Sequence, residues 1–216
     1  MKRLIALFVV VLAIVSCSEH RGTLRVHNPV SHSTRLSGAA VVVLGEDWSP
    51  EERLAVLRGL DILNEAANGN YVFEVIEPDW KLIVPYYGKR LPNGRCYDVI
   101  GIDSVTPFHK GIEHFDHVKG RPSTGGYAIR QECKHTSVKI VPFRVDSLDA
   151  LTWVTMHEVG HAIGLQHDRK NLEALMYPAF NYYSTCTSEQ CCVPKPDMQQ
   201  LCSFIGCDVE TTKFCY

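Results

Sequence analysis

The sequence has little net charge, no long apolar run and no internal repeat. Its 22 basic and 24 acidic residues nearly balance and no basic run stands out, so nothing favours nucleic acid as a partner. The longest apolar stretch, Leu4–Val15, has 12 residues, whereas a membrane-spanning helix needs roughly 20. The apolar fraction of 45% and the charged fraction of 21% are ordinary for a globular domain.

The first sixteen residues have the pattern of an export signal. Lys2-Arg3 gives a positive start and the short apolar run follows. The run ends in Ile14-Val15-Ser16-Cys17, which resembles the bacterial lipobox, and this resemblance implies cleavage before Cys17 and a lipid on that residue. We therefore expect a signal peptide over residues 1–16 and a lipidated N-terminus with a polar spacer over 17–37. The protein would be a bacterial membrane lipoprotein on the periplasmic or cell-surface face; the alternative is ordinary secretion.

Nine cysteines are an odd number for an exported chain, and assigning Cys17 to the lipid leaves eight. Eight cysteines can pair in 105 ways, which sequence alone does not separate. Six of them fall in the last 31 residues, so we expect disulfides to staple the C-terminal end. A metal site built from thiolates is the alternative. The eight are Cys96, Cys133, Cys186, Cys191, Cys192, Cys202, Cys207 and Cys215.

Hydrophobic periodicity predicts a mixed α+β domain over residues 38–216. Ser49-Pro50-Glu51-Glu52 is typical of a helix start, and Asn68-Gly69-Asn70 of its end. A second helix should begin after Asp146 or Ser147 and run to about Gly164. The predicted strands are Ala39–Leu44, Tyr71–Ile76, Val99–Val105, Tyr127–Gln131 and Ser137–Phe143.

Three histidines near the second predicted helix have the spacing of metal ligands. His157 and His161 are four residues apart, so both imidazoles project from one helix face and can share one Zn²⁺. His167 could not reach that ion from a continuous helix. Gly164 can adopt a left-handed conformation that ends the helix and turns the chain back, bringing His167 to the metal.

Glu158 follows the first histidine but points too far round the helix to be an ideal ligand. It can instead reach a water bound to the metal. A carboxylate in that place can take the proton of the attacking water and pass it to the departing amine of a cleaved peptide.

The pattern His157-Glu158-x-x-His161-x-x-Gly164-x-x-His167 resembles the zinc motif of the metzincin peptidases. Ala174–Pro178 resembles their Met-turn, a tight turn that places a methionine, here Met176, beneath the metal. Gly160 and the Met-Tyr-Pro order are most similar to matrixins. The resemblance implies one catalytic Zn²⁺ and a two-lobed domain: an upper lobe of sheet, backing helix and zinc helix over 38–164, and a small irregular, disulfide-stapled lower lobe over 165–216.

The same resemblance implies a substrate cleft. In that family an edge strand binds extended peptide by main-chain hydrogen bonds, and Gly126, Tyr127 and Ala128 are the matching residues here. Residues after Met176, beginning with Tyr177, would wall the pocket for the side chain that follows the cut. The partner is thus a peptide or protein substrate, and we expect a monomer.

Two questions stay open at this point. His109, His114 and His117 form a second cluster, either a further metal site or a solvated loop. The main hypothesis is a zinc-dependent endopeptidase, a hydrolase with Glu158 as general base and acid. The alternative is a lipid-anchored, zinc-containing binding protein without catalysis.

Overall fold

A computed structural model describes residues 39–76, 88–90, 96–105, 125–129, 135–178 and 191–215. Among these residues, none of the helices combines the length and apolar character that a bilayer crossing requires. The leader, Cys17, the spacer and the cluster of His109, His114 and His117 lie outside the described residues. The expectations about them therefore stay predictions.

A five-stranded mixed sheet forms the centre of the described fold. Its strand order is β2-β1-β3-β5-β4, and all neighbours are parallel except β4, which runs antiparallel to β5. The strands are β1 (Ala39–Leu44), β2 (Val72–Ile76), β3 (Asp98–Ser104), β4 (Gly126–Ile129) and β5 (His135–Ile140). All five predicted strands are confirmed to within a few residues. Strand β5 ends at Ile140, and Pro142–Arg144 forms a 3₁₀ turn in place of the predicted strand end.

Helix α1 (Pro50–Ala67) begins and ends where the sequence predicts. The Ser49 hydroxyl accepts a hydrogen bond from the Glu52 amide, and the Glu52 carboxylate accepts one from the Ser49 amide, which completes a capping box. The helix ends at Asn68, whose left-handed backbone (φ 47°) directs two hydrogen bonds back to the last turn.

Helix α2 (Leu148–Ile163) packs against α1 and the sheet and is buried along most of its length. The Ser147 hydroxyl caps it by accepting from the Ala150 amide at 3.1 Å. Near its start, Arg58 of α1 forms an ion pair with Asp149 at 2.8 Å.

The main apolar core lies between the sheet and the helices. Alternate residues of the central strands point into it, for example Ile100 and Ile102 of β3, which are fully buried. Helix α2 contributes Val159 and Ile163 to the same cluster. A sheet buried on this face holds α2, and therefore the histidine pair, rigidly.

The C-terminal region contains a helix that the sequence reading did not predict. Helix α3 (Lys195–Ile205) begins after Pro194 and buries Met198 and Leu201 in the main core. Its period was hidden by two prolines at its start and a cysteine-rich context.

Disulfides staple this region, as predicted. Cys192 pairs with Cys215, and Cys202 pairs with Cys207. Cys96 and Cys191 are also disulfide-bonded. None of the six described cysteines is left to form a thiolate metal site.

Candidate metal centre

His157 and His161 project from one face of α2, one turn apart, with ring centroids 4.8 Å apart. His157 is buried and stacks on the indole of Trp153, one turn earlier, at 5.0 Å. Its Nδ1 lies 2.7 Å from the carbonyl oxygen of Leu175. The Trp153 indole and the Leu175 carbonyl thus fix the orientation of the His157 ring independently of a bound ion.

Gly164 ends α2 as the sequence predicts. Its φ of 110° lies in the left-handed region, which L-residues with a Cβ rarely adopt. The turn brings the Leu165 amide to the Gly160 carbonyl at 2.9 Å, and it brings the Leu165 carbonyl to Nδ1 of His161, also at 2.9 Å. The turn at Gly164 therefore reverses the chain and also orients the His161 ring of α2.

His167 returns to the helix face that carries the other two rings. Its Nε2 lies 3.2 Å from Nε2 of His157 and 2.9 Å from Nε2 of His161. A single donor atom from each of the three residues falls within 4.8 Å of the others. The structure thus brings together the three histidines that the sequence singled out.

The hydrogen bonds of the rings show that this site fits a cation. A carbonyl oxygen can only accept, so Nδ1 of His157 and Nδ1 of His161 each carry the proton. When these rings are neutral, both Nε2 atoms then present lone pairs toward His167. A neutral His167 carries at most one Nε2 proton and cannot satisfy two acceptors fully, whereas one metal ion accepts all three nitrogens. Three imidazole nitrogens are a donor set that suits Zn²⁺.

Electrostatics favour the neutral, metal-binding form of His157 and His167. Burial lowers the pKa of His157 to about 3; the Leu175 carbonyl opposes this, and His161 and His167 lower it further. Although His167 is largely exposed, partial desolvation of its ring lowers its pKa, and the charges of His161 and Arg169 lower it further. Protons therefore compete weakly for these nitrogens at neutral pH.

Glu158 follows His157 on α2, is buried, and lies close to strand β4 at Gly126. A Cβ placed on Gly126 would lie 2.8 Å from Cγ and 3.2 Å from the carboxyl carbon of Glu158. The absence of a side chain at Gly126 is thus what lets the carboxylate occupy this place. The sequence predicts that both residues belong to the site, but it does not predict their contact.

The turn around Met176 contacts α2 at His157 and at Gly160. The Tyr177 amide donates to the Ala174 carbonyl at 3.1 Å, which closes a tight turn with Leu175 and Met176 at its centre. Met176 is completely buried, and its Sδ would be 2.7 Å from a Cβ added at Gly160. Met176 therefore packs against α2 at Gly160, and its role as a Met-turn stays a prediction.

Asp197 of α3 supports this turn and was missed by sequence reasoning. Its two carboxylate oxygens accept hydrogen bonds from the amides of Leu175 at 2.8 Å and Met176 at 3.0 Å. Burial raises the pKa of Asp197 to about 6, against the lowering effect of these two bonds. The only sequence signal was an acidic residue next to the buried Met198, which indicates nothing about its distant partners.

The other predicted cleft residues divide between the two faces of the sheet. Ala128 packs against the main core, whereas Tyr127 packs with Val105 and Val141 on the opposite face. Tyr177 is half-buried just after the turn. Strand β4 is the last strand in the described sheet, next to Glu158.

A sequence model of the matrixins (peptidase M10) matches residues 46–204. The chain belongs to the matrixin family. The match covers α1, α2, the turn around Met176 and nearly all of α3. Together with the mixed sheet, it confirms the predicted α+β metzincin-like fold class. This matrixin therefore has the zinc-peptidase type of fold that its motif predicts.

No curated protein sequence matches the chain significantly. Solved structures that resemble it weakly include a hatching enzyme and an archaemetzincin. High choriolytic enzyme 1, a hatching enzyme zinc-protease from the medaka fish Oryzias latipes, is 16% identical with a TM-score of 0.33; the alignment covers 60% of this chain and 44% of that one. Archaemetzincin from Methanopyrus kandleri is 18% identical with a TM-score of 0.38, over 68% of this chain and 84% of that one. Since both TM-scores are low, the family assignment depends on the sequence match alone.

Proposed function

We propose that this matrixin is a zinc-dependent endopeptidase. The observation that carries the proposal is the convergence of three Nε2 atoms at a helix that also buries Glu158, the residue after His157. His157, His161 and His167 would hold the ion. A set of three protein ligands is typical of catalytic zinc, because it leaves a position for water, whereas structural sites are closed by a fourth ligand.

Zinc, when bound, supplies a Lewis acid that polarises a peptide carbonyl and makes water easier to deprotonate. Glu158 accepts the proton of the attacking water on its carboxylate and delivers it to the nitrogen of the departing amine. Its burial next to β4 supports this role, because an extended peptide would pair with that strand. The main chain of Gly126 and Ala128 would then orient the substrate.

The test compares soluble protein beginning at Ser18 with its Glu158→Gln variant on a broad peptide library. We expect wild-type protein to cleave internal peptide bonds, to lose activity with a zinc chelator and to regain it with added zinc. Glu158→Gln keeps the shape of the side chain but cannot take up the proton, so activity should fall by at least about 100-fold while zinc content stays the same.

The library also separates the alternative function. A protein that binds one zinc per chain, yet leaves the whole library intact, would be a zinc-containing binding protein and the peptidase proposal would fail. Cleavage products report which side chains are preferred around the cut, and so define the substrate class.

We further propose that the protein is exported and carries a lipid on Cys17. The leader pattern supports this, and so do the C-terminal disulfides, because such bonds persist in oxidising compartments. In a bacterial host fed with labelled palmitate, the wild-type chain should take up label and enter the membrane fraction. A Cys17→Ser variant should do neither; equal labelling of the two would refute lipidation at this residue.

A further inference from the structure

The side chain of Gln200, on α3, makes two hydrogen bonds to the main chain of Gln166. The Gln166 amide donates to Oε1 of Gln200 at 2.5 Å, and Nε2 of Gln200 donates to the Gln166 carbonyl at 3.2 Å. A carboxamide that pairs with both polar groups of one residue fixes that residue in position and in orientation.

Gln166 immediately precedes His167, the third predicted metal ligand. Both residues are exposed, so burial does little to fix this segment. On the other side of His167, the Asp168 amide donates to the Met176 carbonyl at 3.0 Å. The backbone of His167 is thus held between two anchors, of which Gln200 is the one supplied by a side chain.

His167 also differs from the other two histidines in how its ring is supported. Carbonyls hold Nδ1 of His157 and Nδ1 of His161, but Nδ1 of His167 makes no hydrogen bond to any residue that the structure describes. Outer contacts of this kind normally set the orientation of a metal-binding imidazole. For His167 the main chain must provide that orientation instead.

We propose that Gln200 is a positioning residue for the third metal ligand. The inference rests on the proposed zinc site and extends it: α3 holds both segments that face the zinc helix. Asp197 and Gln200 are three residues apart and so lie on one face of α3. Asp197 holds the turn whose Leu175 carbonyl orients His157, and Gln200 holds the segment that carries His167.

Three variants test this. Gln200→Ala removes the carboxamide, and Gln200→Met removes it while keeping a side chain of similar length. Gln199→Ala is the matched control, because Gln199 is the same residue type on the same helix, is exposed, and makes no side-chain hydrogen bond within the described residues.

Zinc affinity is measured by competition with a chromophoric chelator, below the melting temperature of each metal-free protein. We expect both Gln200 variants to bind zinc about tenfold more weakly than Gln199→Ala, as is typical for loss of an outer contact to a metal site. The visible spectrum of the cobalt-loaded protein should also change in both Gln200 variants and not in the control. Metal-free melting temperatures should stay close to that of the control, which separates positioning from a general loss of stability.

The results divide clearly. Zinc affinities and cobalt spectra equal to those of Gln199→Ala would overturn the role of Gln200, even if wild-type protein binds zinc and cleaves peptides. Wild-type affinity in Gln200→Met alone would also overturn it, because packing and not hydrogen bonding would then be responsible. Failure of wild-type protein to bind zinc would overturn this inference and the proposed function together.

Discussion

At the scale of single residues, Gly126 and Glu158 depend on each other. A methyl group at Gly126 would overlap Cγ of Glu158 and come within 3.1 Å of the Lys139 carbonyl, a main-chain atom that cannot easily move. The carboxylate must therefore shift. We expect Gly126→Ala to lower peptidase activity by about 100-fold, since small displacements of catalytic groups have effects of this size, while zinc binding persists.

The neighbouring glycine provides the control. A Cβ on Gly125 would meet Val154 at 3.5 Å and Val145 at 3.6 Å, which are ordinary contacts. Gly125→Ala should therefore keep most of its activity. If kcat/KM were the same in the two variants, the contact between Gly126 and Glu158 would have no catalytic importance.

Asp197 predicts a pH dependence of stability. Because its folded-state pKa of about 6 lies above its ordinary value of 3.8, the folded protein binds this proton more tightly than the unfolded chain. The stabilisation is complete below about pH 4 and is lost as pH rises through about 6. It amounts to about 3 kcal/mol, from 1.36 kcal/mol per pKa unit.

Urea unfolding of metal-free wild type and Asp197→Asn at pH 4.5 and 7.5 measures this effect, since other groups titrate alike in both proteins. The free-energy advantage of wild type should be larger at pH 4.5. An Asp168→Asn variant should move the transition to lower pH, because the Asp168 charge adds to the raised pKa. If the two proteins differed in free energy of unfolding by the same amount at both pH values, the raised pKa of Asp197 would be contradicted.

The residues of the site differ in whether the neighbouring sequence predicts their positions. The positions of His157, Glu158 and His161 follow from the periodicity of one helix, and His167 follows from one glycine turn, so sequence sufficed to bring them together. Asp197 and Gln200 act on main-chain atoms more than 20 residues away in the chain. A side chain that recognises backbone leaves no pattern in the sequence of its partner.

At the scale of elements, the segment after α3 returns to α1. The Lys213 amide donates to the Ala66 carbonyl at 2.9 Å, and the Asn68 side chain donates to the Thr211 carbonyl at 2.7 Å. The Cys192–Cys215 bond closes this return over a separation of 23 residues. The segment therefore joins α3, which supports the histidine site, to α1, which packs on the sheet.

Replacing Cys192 and Cys215 together by serine should lower the free energy of unfolding by about 3 kcal/mol, because the unfolded chain regains the conformational entropy that closing a loop of this length removes. Hydrogen exchange should speed up at the Lys213 and Cys215 amides before it does in the sheet. Unchanged exchange at these two amides would show that their hydrogen bonds, from Lys213 to Ala66 and from Cys215 to Val193, hold the segment without the disulfide.

Element boundaries were predictable where a cap defines them. Ser49 and Ser147 start α1 and α2, and Asn68 and Gly164 end them, because each satisfies helix-end groups by a local bond or conformation. Helix α3 begins after Pro194 without a side-chain cap. It is stabilised by burial of Met198 and Leu201, a tertiary effect that local chemistry does not indicate.

At the scale of the whole molecule, metal binding and folding should be linked. The three proposed ligands come from α2 and from the segment after it, and they converge only in the folded chain, so zinc should stabilise the native state by mass action. At a free zinc concentration 100 times the Kd, the gain is about 2.7 kcal/mol. Calorimetry with and without chelator should show a higher melting temperature with zinc.

His167→Ala is the matching variant, since it removes a ligand that is exposed and contributes little to the core. Its metal-free melting temperature should equal that of wild type, but zinc should raise it much less. An equal zinc-induced rise in both proteins would mean that the ion binds elsewhere.

The carbonyls of Leu165 and Leu175, which orient two of the imidazoles, belong to the backbone. No replacement of the leucine side chains can delete those oxygens, so alleles at 165 and 175 that keep an apolar residue should be tolerated. Mutations that displace these two carbonyls must therefore act by changing the path of the main chain, and they can lie at positions that are not neighbours of the histidines.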